Sequence, residues 1–537
     1  MASSQQPLSS SSSVSPGTFF GQPKGLFFLF FTEMWERFSY YGMRAILVLF
    51  LVSSTTGENP GFGWTELDAY ALYGWYTMFV YVASIPGGII ADKFLGQKKT
   101  VILGGLLLCL GHGILAVQAP WAFYTGLVLI VLGVGGLKPN ISTMVGGLYG
   151  RKDGRRDMGF YIFYMGINLG ALLAGVIVGT VGERIGWHYG FGLAGIGMVL
   201  GQLVFMSGQK HLKEVGNAPD KSAVSNEPNF FLEIFRQRNA LLWTAIVALA
   251  GVATWVFGGS WAYGLLIIGL SLAVGVFFVF FNESNPVERD QLLVIVLSFV
   301  MIIVFWGAFE QAGGLMNVYA QEKTDRMLGS FEVPATWFQS ANSMYILIFA
   351  TIVGSFWAWW GRKGRETSSL FKMAVGIIIT AVGFLFMVGA VRQYEAQGAS
   401  AMYWLMLAYM FHTLGELCLS PVALSFVTKL SPQRYVAFMM GAYFAATGLG
   451  NKVAGSLGEL STEAGEYAIF LGIFIFCVIF GLLMIAVLKP LKRLAHGAED
   501  LQPSVVGDNE GYEVEETLHL EGDGETISYD ELKRSKK

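Results

Sequence analysis

Charged residues are scarce in this chain. They make up 14% of its 537 residues, against about a quarter in an ordinary soluble domain. That shortage excludes a water-soluble globular class. Cysteine is nearly absent too. The three present, Cys109, Cys418 and Cys477, all lie in apolar stretches. They are too few and too scattered for a disulfide framework or a metal cluster, and they read as small core residues. No stretch interleaves basic with aromatic residues, which excludes a nucleic-acid surface. No HExxH pair, Ser-His-Asp grouping or Gly-x-Ser-x-Gly elbow occurs, so neither an enzyme nor a metal site is expected. The N-terminal "MASSQQPLSSSSSVSPG" lacks a basic n-region and reads as a disordered leader over residues 1–25, not a cleaved signal. The net charge of −3 points to no partner class.

What the chain has in quantity is apolar sequence, at 54% hydrophobic and 15% aromatic residues. Runs long enough to span a bilayer recur near 26–52, 66–91, 100–118, 121–146, 158–180, 187–208, 239–257, 261–282, 291–320, 336–360, 371–391, 401–428, 435–457 and 467–488. Fourteen transmembrane helices are therefore predicted. Basic residues alternate between the connecting loops. Lys93, Lys98 and Lys99, then Arg151 to Arg156, Lys210 to Arg238, Arg362 to Lys372 and Lys489 to Arg493 share one side. The positive-inside rule puts both termini in the cytoplasm. A 209–238 stretch reads as a cytoplasmic linker, and the acidic 496–537 stretch as a disordered tail.

A faint internal repeat divides the rest. "LGALLAG" in the fifth span is echoed by "LGNKVAG" in the thirteenth, and Trp35-Glu36-Arg37 by Phe309-Glu310-Gln311. Setting aside the uncharged pair at 239–282 as an inserted hairpin leaves six-helix bundles at 26–208 and 290–490. Parallel repeats of this kind describe the major facilitator superfamily.

The charges that remain inside the spans carry the functional signal. Each costs at least ~2.5–3.5 kcal/mol at a bilayer centre, so each needs a partner, a watery cavity or a proton. In the first span Glu33, Arg37, Tyr41 and Arg44 fall on one helical face, with Glu36 beside them. Lys138 sits mid-span before Pro139, which should kink its helix; it either serves a site or pairs structurally with a glutamate. Tyr164 and Asn168 share a face of the fifth span and read equally as site residues or interhelical glue. Trp306 and Glu310 are one helical turn apart, Asn342 lies in the tenth span, and Glu416 and Ser420 adjoin Pro421 in the twelfth. His112 and His412 read as satisfied core histidines rather than proton carriers. The loop "GGIIADKFLGQKK" from Gly87 is either a packed signature or a merely topogenic basic loop.

Taken in order, E-x-x-E-R-F-x-Y-Y-G at Glu33, G-G-x-x-A-D-x-x-L-G at Gly87, G-x-x-K-P-N at Gly135, F-x-x-F-Y-x-x-x-N-x-G at Phe160 and G-E-L-x-x-S-P at Gly415 resemble the proton-dependent oligopeptide transporter family, bacterial branch. The likeness runs through nearly the whole chain apart from the tails. It implies an all-α polytopic membrane protein with the major facilitator fold plus the inserted hairpin. It also implies a proton-coupled symporter that imports di- and tripeptides across the inner membrane by alternating access. Glu33, Glu36, Arg37 and Glu310 would serve proton coupling. Arg44 and Lys138, with Tyr41, Tyr81, Tyr164 and Asn168, would hold the peptide carboxylate. Asn342, Glu416, Trp306 and Ser420 would face its amino end.

Protons are the only coupling ion expected, with no cofactor. Small peptides and lipids are the partners, and the monomer is the working unit. Two departures from the family stand out. Asn342 is followed by Ser343 where proline is common, and "ALYGWYTMFVYV" in the second span lacks the histidine of mammalian members. Coupling should then rest on carboxylates. The rivals are a symporter for another small anion or a peptide-like drug, and more remotely an intramembrane enzyme or a channel. Glu416 would repel a simple anion.

Overall fold

The computed structural model describes residues 18–150, 153, 155–218, 230–432 and 435–498. Among the described residues fourteen helices of 17 residues or more follow one another. They are α1 (Lys24–Val52), α2 (Glu66–Val82), α3 (Gly96–Leu115), α4 (Pro120–Gly147), α5 (Arg156–Leu173), α6 (Trp187–Leu212), α7 (Arg238–Phe257) and α8 (Trp261–Glu283). Then come α9 (Pro286–Phe309), α10 (Trp337–Arg362), α11 (Ser369–Gln397), α12 (Met402–Leu430), α13 (Val436–Ala464) and α14 (Glu466–Ala486). Among the described residues, eleven helical stretches are long and apolar enough to cross a membrane. One of them, Glu66–Leu115, contains both α2 and α3. The charge-bearing α1 is not among the eleven.

Local chemistry sets many of the boundaries. The Thr65 side chain accepts from the Asp68 amide and starts α2. Asn285 and Glu288 form a reciprocal capping box at the start of α9. Gly398 takes the left-handed conformation that closes α11.

Differences from the sequence expectations have physical causes. The short Thr18–Phe19 strand pairs with Gln22–Pro23, and the Tyr149 hydroxyl donates to Gln22, so residues 18–25 of the expected leader are ordered against the bundle. The leader up to residue 17 and the tail from residue 499 lie outside the described residues. Helix α9 ends at Phe309, where Glu310–Gly313 turn as a 3-10 segment before the short Leu315–Lys323 helix. Trp306 and Glu310 are thus not successive turns of one α-helix. Helix α10 runs without interruption through Asn342-Ser343. His112 and His412 are fully buried, at 0% and 1% exposure. Their ring nitrogens find no hydrogen-bond partner among the described residues.

Packing follows two groups of helices. Helix α1 lies against α5 and α6, and α3 against α4 and α6. On the other side α11 lies against α12 and α14, α9 against α13, and α10 against α12. Two seams join the groups: α2 on α13, and α5 on α10. Backbones touch along the first seam, where a Cβ built on Gly455 would meet Gly74 Cα at 2.6 Å. Small residues permit that approach. Helices α7 and α8 pack on each other, and α8 reaches the rest through Phe280 stacked on Tyr435 at 3.7 Å and Tyr263 beside Ser456 at 3.1 Å.

The stretch after α2 is not a loop: Ser84–Ile90 form a short α-helix and Ala91–Leu95 a π-helical turn, and the short helix packs on α4. Pro139 removes the amide that would bond the Gly135 carbonyl. Gly87 lies against that carbonyl so closely that a Cβ would sit 2.0 Å from its oxygen. Gly96 has φ +76°, and a Cβ there would meet the Ala218 amide nitrogen at 2.4 Å. Lys98 donates to Asn217 at 2.9 Å and also to the Lys213 carbonyl, tying α3 to the segment after α6.

Candidate functional site

The charged candidates from the sequence fall mostly into three clusters. On α1 the Arg37 Nε lies 3.0 Å from Glu33 Oε1 and 2.5 Å from Glu36 Oε2, with all three side chains at most 3% exposed. Helical spacing puts Glu33 and Arg37 one turn apart, and Glu36 abuts them as the sequence neighbour. The Arg37 guanidinium lies 5.7 Å from the Tyr41 ring centre.

Two turns along, Arg44 crosses between the helix groups. Its Nη1 donates to both carboxylate oxygens of Glu310 at 3.0 Å. The Tyr73 hydroxyl of α2 donates to Glu310 Oε2 at 3.1 Å. Gly313 makes room, because a Cβ there would meet that hydroxyl at 1.9 Å. The 3-10 turn after α9 therefore aims Glu310 at α1 and α2. Arg44 also lies 4.8 Å from the Tyr41 ring centre. A buried pair of this kind is costly to break one-sidedly, because the remaining charge is left uncompensated.

The third cluster is on the opposite group of helices. Asn342 of α10 donates to Glu416 of α12 at 2.8 Å and to the Thr413 hydroxyl at 3.0 Å. Glu416 lies within electrostatic reach of Tyr164 on α5 and Tyr41 on α1. Lys138 stands 3.8 Å from the Tyr81 ring centre, a close cation–π contact, and within reach of Glu33 and Glu36. The Asn168 amide donates to the Tyr164 carbonyl of its own helix at 3.0 Å. Trp306 Nε1 and Ser420 Oγ are buried atoms with no hydrogen-bond partner among the described residues.

Sequence reasoning missed Tyr73, Thr413, Asn317 and Glu183. Asn317 donates to the Ala45 carbonyl of α1 at 2.9 Å. Glu183 holds the start of α10 across the second seam. Tyr73 lies in the very stretch searched for a histidine. A tyrosine one residue before a seam glycine was the available signal.

Two helix groups meeting at narrow seams, with ion pairs buried where they meet, define a polytopic membrane transporter. Residues 98–470 match the POT family, and the chain belongs to that family. It is 36% identical over 512 residues to the peptide transporter YePEPT of Yersinia enterocolitica, covering 91% of this chain and 99% of that one. It is 35% identical over 498 residues to a di-/tripeptide transporter of Lactococcus lactis, covering 89% and 97%. A crystal structure of peptide transporter POT in complex with sulfate superposes with a TM-score of 0.77 at 34% identity, covering 89% of this chain and 97% of that one. The fold is that of the major facilitator transporters.

Proposed function

We propose that the chain is a proton-coupled symporter that imports di- and tripeptides across the cytoplasmic membrane by alternating access. The observation that carries this reading is the Arg44–Glu310 pair, which joins the two helix groups beside the Glu33–Glu36–Arg37 cluster. Protonating Glu310 would weaken its hold on Arg44 and leave the guanidinium free for a carboxylate. A peptide carboxylate at Arg44 and Lys138 and an ammonium at Glu416 would then span the cavity. An extended chain covers about 3.3–3.6 Å per residue, so length is read by how far the amino end reaches.

In this reading Glu33 and Glu36 exchange the proton, and Arg37, which stays charged, biases which carboxylate holds it. Tyr41, Tyr81, Tyr164, Asn168, Asn342, Trp306 and Ser420 line the peptide. Both termini lie in the cytoplasm, and the monomer works without a cofactor. The names of the relatives support peptides as the cargo. Uptake of labelled dialanine into proteoliposomes, with and without an inward proton gradient, tests the proposal. Gradient-driven accumulation is expected; binding of dialanine without gradient dependence removes proton symport.

A further inference from the structure

Glu36 and Arg44 are eight residues apart on α1, which is about 12 Å along a helix axis. A proton taken up at Glu36 therefore cannot pass directly to Glu310, which sits on Arg44. Tyr40 lies between them, one helical turn from each. Its side chain is 2% exposed and its hydroxyl has no hydrogen-bond partner among the described residues. Tyr76 of α2 is 5% exposed with its hydroxyl equally unpartnered, and it lies within electrostatic reach of Glu36, Arg44 and Tyr73. Tyr40 is in turn within reach of Tyr76. One end of the series, Glu36 Oε1, is also a buried atom without a partner. The other end is closed by the Tyr73 hydroxyl on Glu310. Buried polar atoms are almost always satisfied, so two unpartnered hydroxyls between two carboxylates, beside an unpartnered oxygen of one of them, call for an explanation.

We propose that the Tyr40 and Tyr76 hydroxyls form a relay that carries the coupling proton between Glu36 and Glu310. This rests on the proton-symport reading above. Protonated Glu36 gives its proton to a hydroxyl oxygen as that hydroxyl releases its own to the next oxygen, directly or through a water. The last transfer protonates Glu310. Glu36 ends ionised, each tyrosine ends neutral, and no electrons move. The positive charges beside the path, Arg37 and Arg44, disfavour a free hydronium ion, which makes hydroxyl-to-hydroxyl transfer the route. Lys138 of α4 lies within electrostatic reach of Glu36 and acts in the same sense.

Tyr40→Phe and Tyr76→Phe remove only the hydroxyls. In proteoliposomes carrying the full chain, gradient-driven dialanine uptake should fall about 10²-fold, the range of a lost proton-transfer group. Dialanine counterflow without a gradient should stay within about twofold of wild type, because ground-state binding is untouched. Deuterium oxide should slow wild-type gradient-driven uptake more than counterflow, and Tyr76→His should restore part of the loss. Full gradient-driven uptake in both Phe variants overturns the relay. So does an equal loss of counterflow, which would assign the hydroxyls to folding or ligand binding. Absence of gradient dependence in the wild type itself would instead sink the symport reading.

Discussion

Removing the Glu183 carboxylate should open the end of the transporter where α5 meets α10. Glu183 lies in the last turn after α5, with its side chain 8% exposed. Its Oε1 accepts from the Thr336 amide at 2.9 Å and from the Thr336 hydroxyl at 2.6 Å, and its Oε2 accepts from the Ala335 amide at 2.9 Å. Those amides sit at the start of α10, so a residue of one helix group caps a helix of the other, where a negative charge is favoured. Nearby, Trp337 Nε1 donates to Thr180 at 2.8 Å and Ser340 to the Leu172 carbonyl at 3.0 Å.

Once the seam parts, water replaces the lost partners, so each bond is credited with only about 1 kcal/mol. Three such bonds give about 3 kcal/mol, and each 1.4 kcal/mol is about tenfold, so the closed-to-open ratio should fall about 10²-fold in Glu183→Ala. Glu183→Gln should shift it less, since its amide oxygen can keep the two Thr336 bonds. Spin labels at the exposed Glu58→Cys and Leu328→Cys positions, with Cys109, Cys418 and Cys477 replaced by alanine, report the separation across this face by double electron resonance. A longer-distance population that grows in the order wild type, Gln, Ala is expected. Identical distributions in all three would refute the latch.

Glu416→Ala should weaken zwitterionic dipeptides by about 10²-fold but N-acetylated ones little, because the acetylated ligand has already lost that ion pair; equal losses in competition assays would move Glu416 from amine reading to gating. Deleting α7 and α8 behind a flexible linker should leave residual transport but lower thermal stability. It uncovers Lys452, which is 4% exposed and lies 5.3 Å from the Tyr263 ring centre of α8; total loss of uptake in a folded variant would make the hairpin part of the moving machinery. A pH effect is expected at Glu366, in the loop after α10. Partial burial pushes its carboxyl up, but the Lys492 ion pair at 2.9 Å and the Ser368 amide at 2.8 Å outweigh burial and hold it below the usual range. A carboxyl depressed by folding stabilises above its unfolded pKa of about 4.3 and loses that contribution as pH falls through the lower folded value. Melting curves in detergent from neutral pH into this acid window should therefore fall less steeply for Glu366→Gln than for wild type; parallel curves would remove the contact from the stability balance.

The sequence by itself determined the spans, because a bilayer imposes one length and one polarity on every crossing. It also determined the α1 cluster, since Glu33, Glu36 and Arg37 are neighbours on one helix and helical geometry alone brings them together. Lys138, Glu416 and Asn342 were legible for a related reason: a polar group in an apolar span must have a purpose. What the sequence could not give was which charge meets which across the chain. Arg44 and Glu310 are 266 residues apart, and their meeting depends on α9 breaking into a 3-10 turn at the glycines that follow. Tyr73 and Tyr76 carried no signal of their own among 22 tyrosines, and Tyr40 stood only as one letter of the motif at Glu33. Only the packing of α2 against α13, through glycines that carry no Cβ, turns the Tyr73 hydroxyl onto Glu310, while the Tyr40 and Tyr76 hydroxyls lie buried with no hydrogen-bond partner among the described residues. Hydrophobic burial reads as composition, but a hydrogen bond is directional and short in range, so its partners are decided where the backbones come to rest.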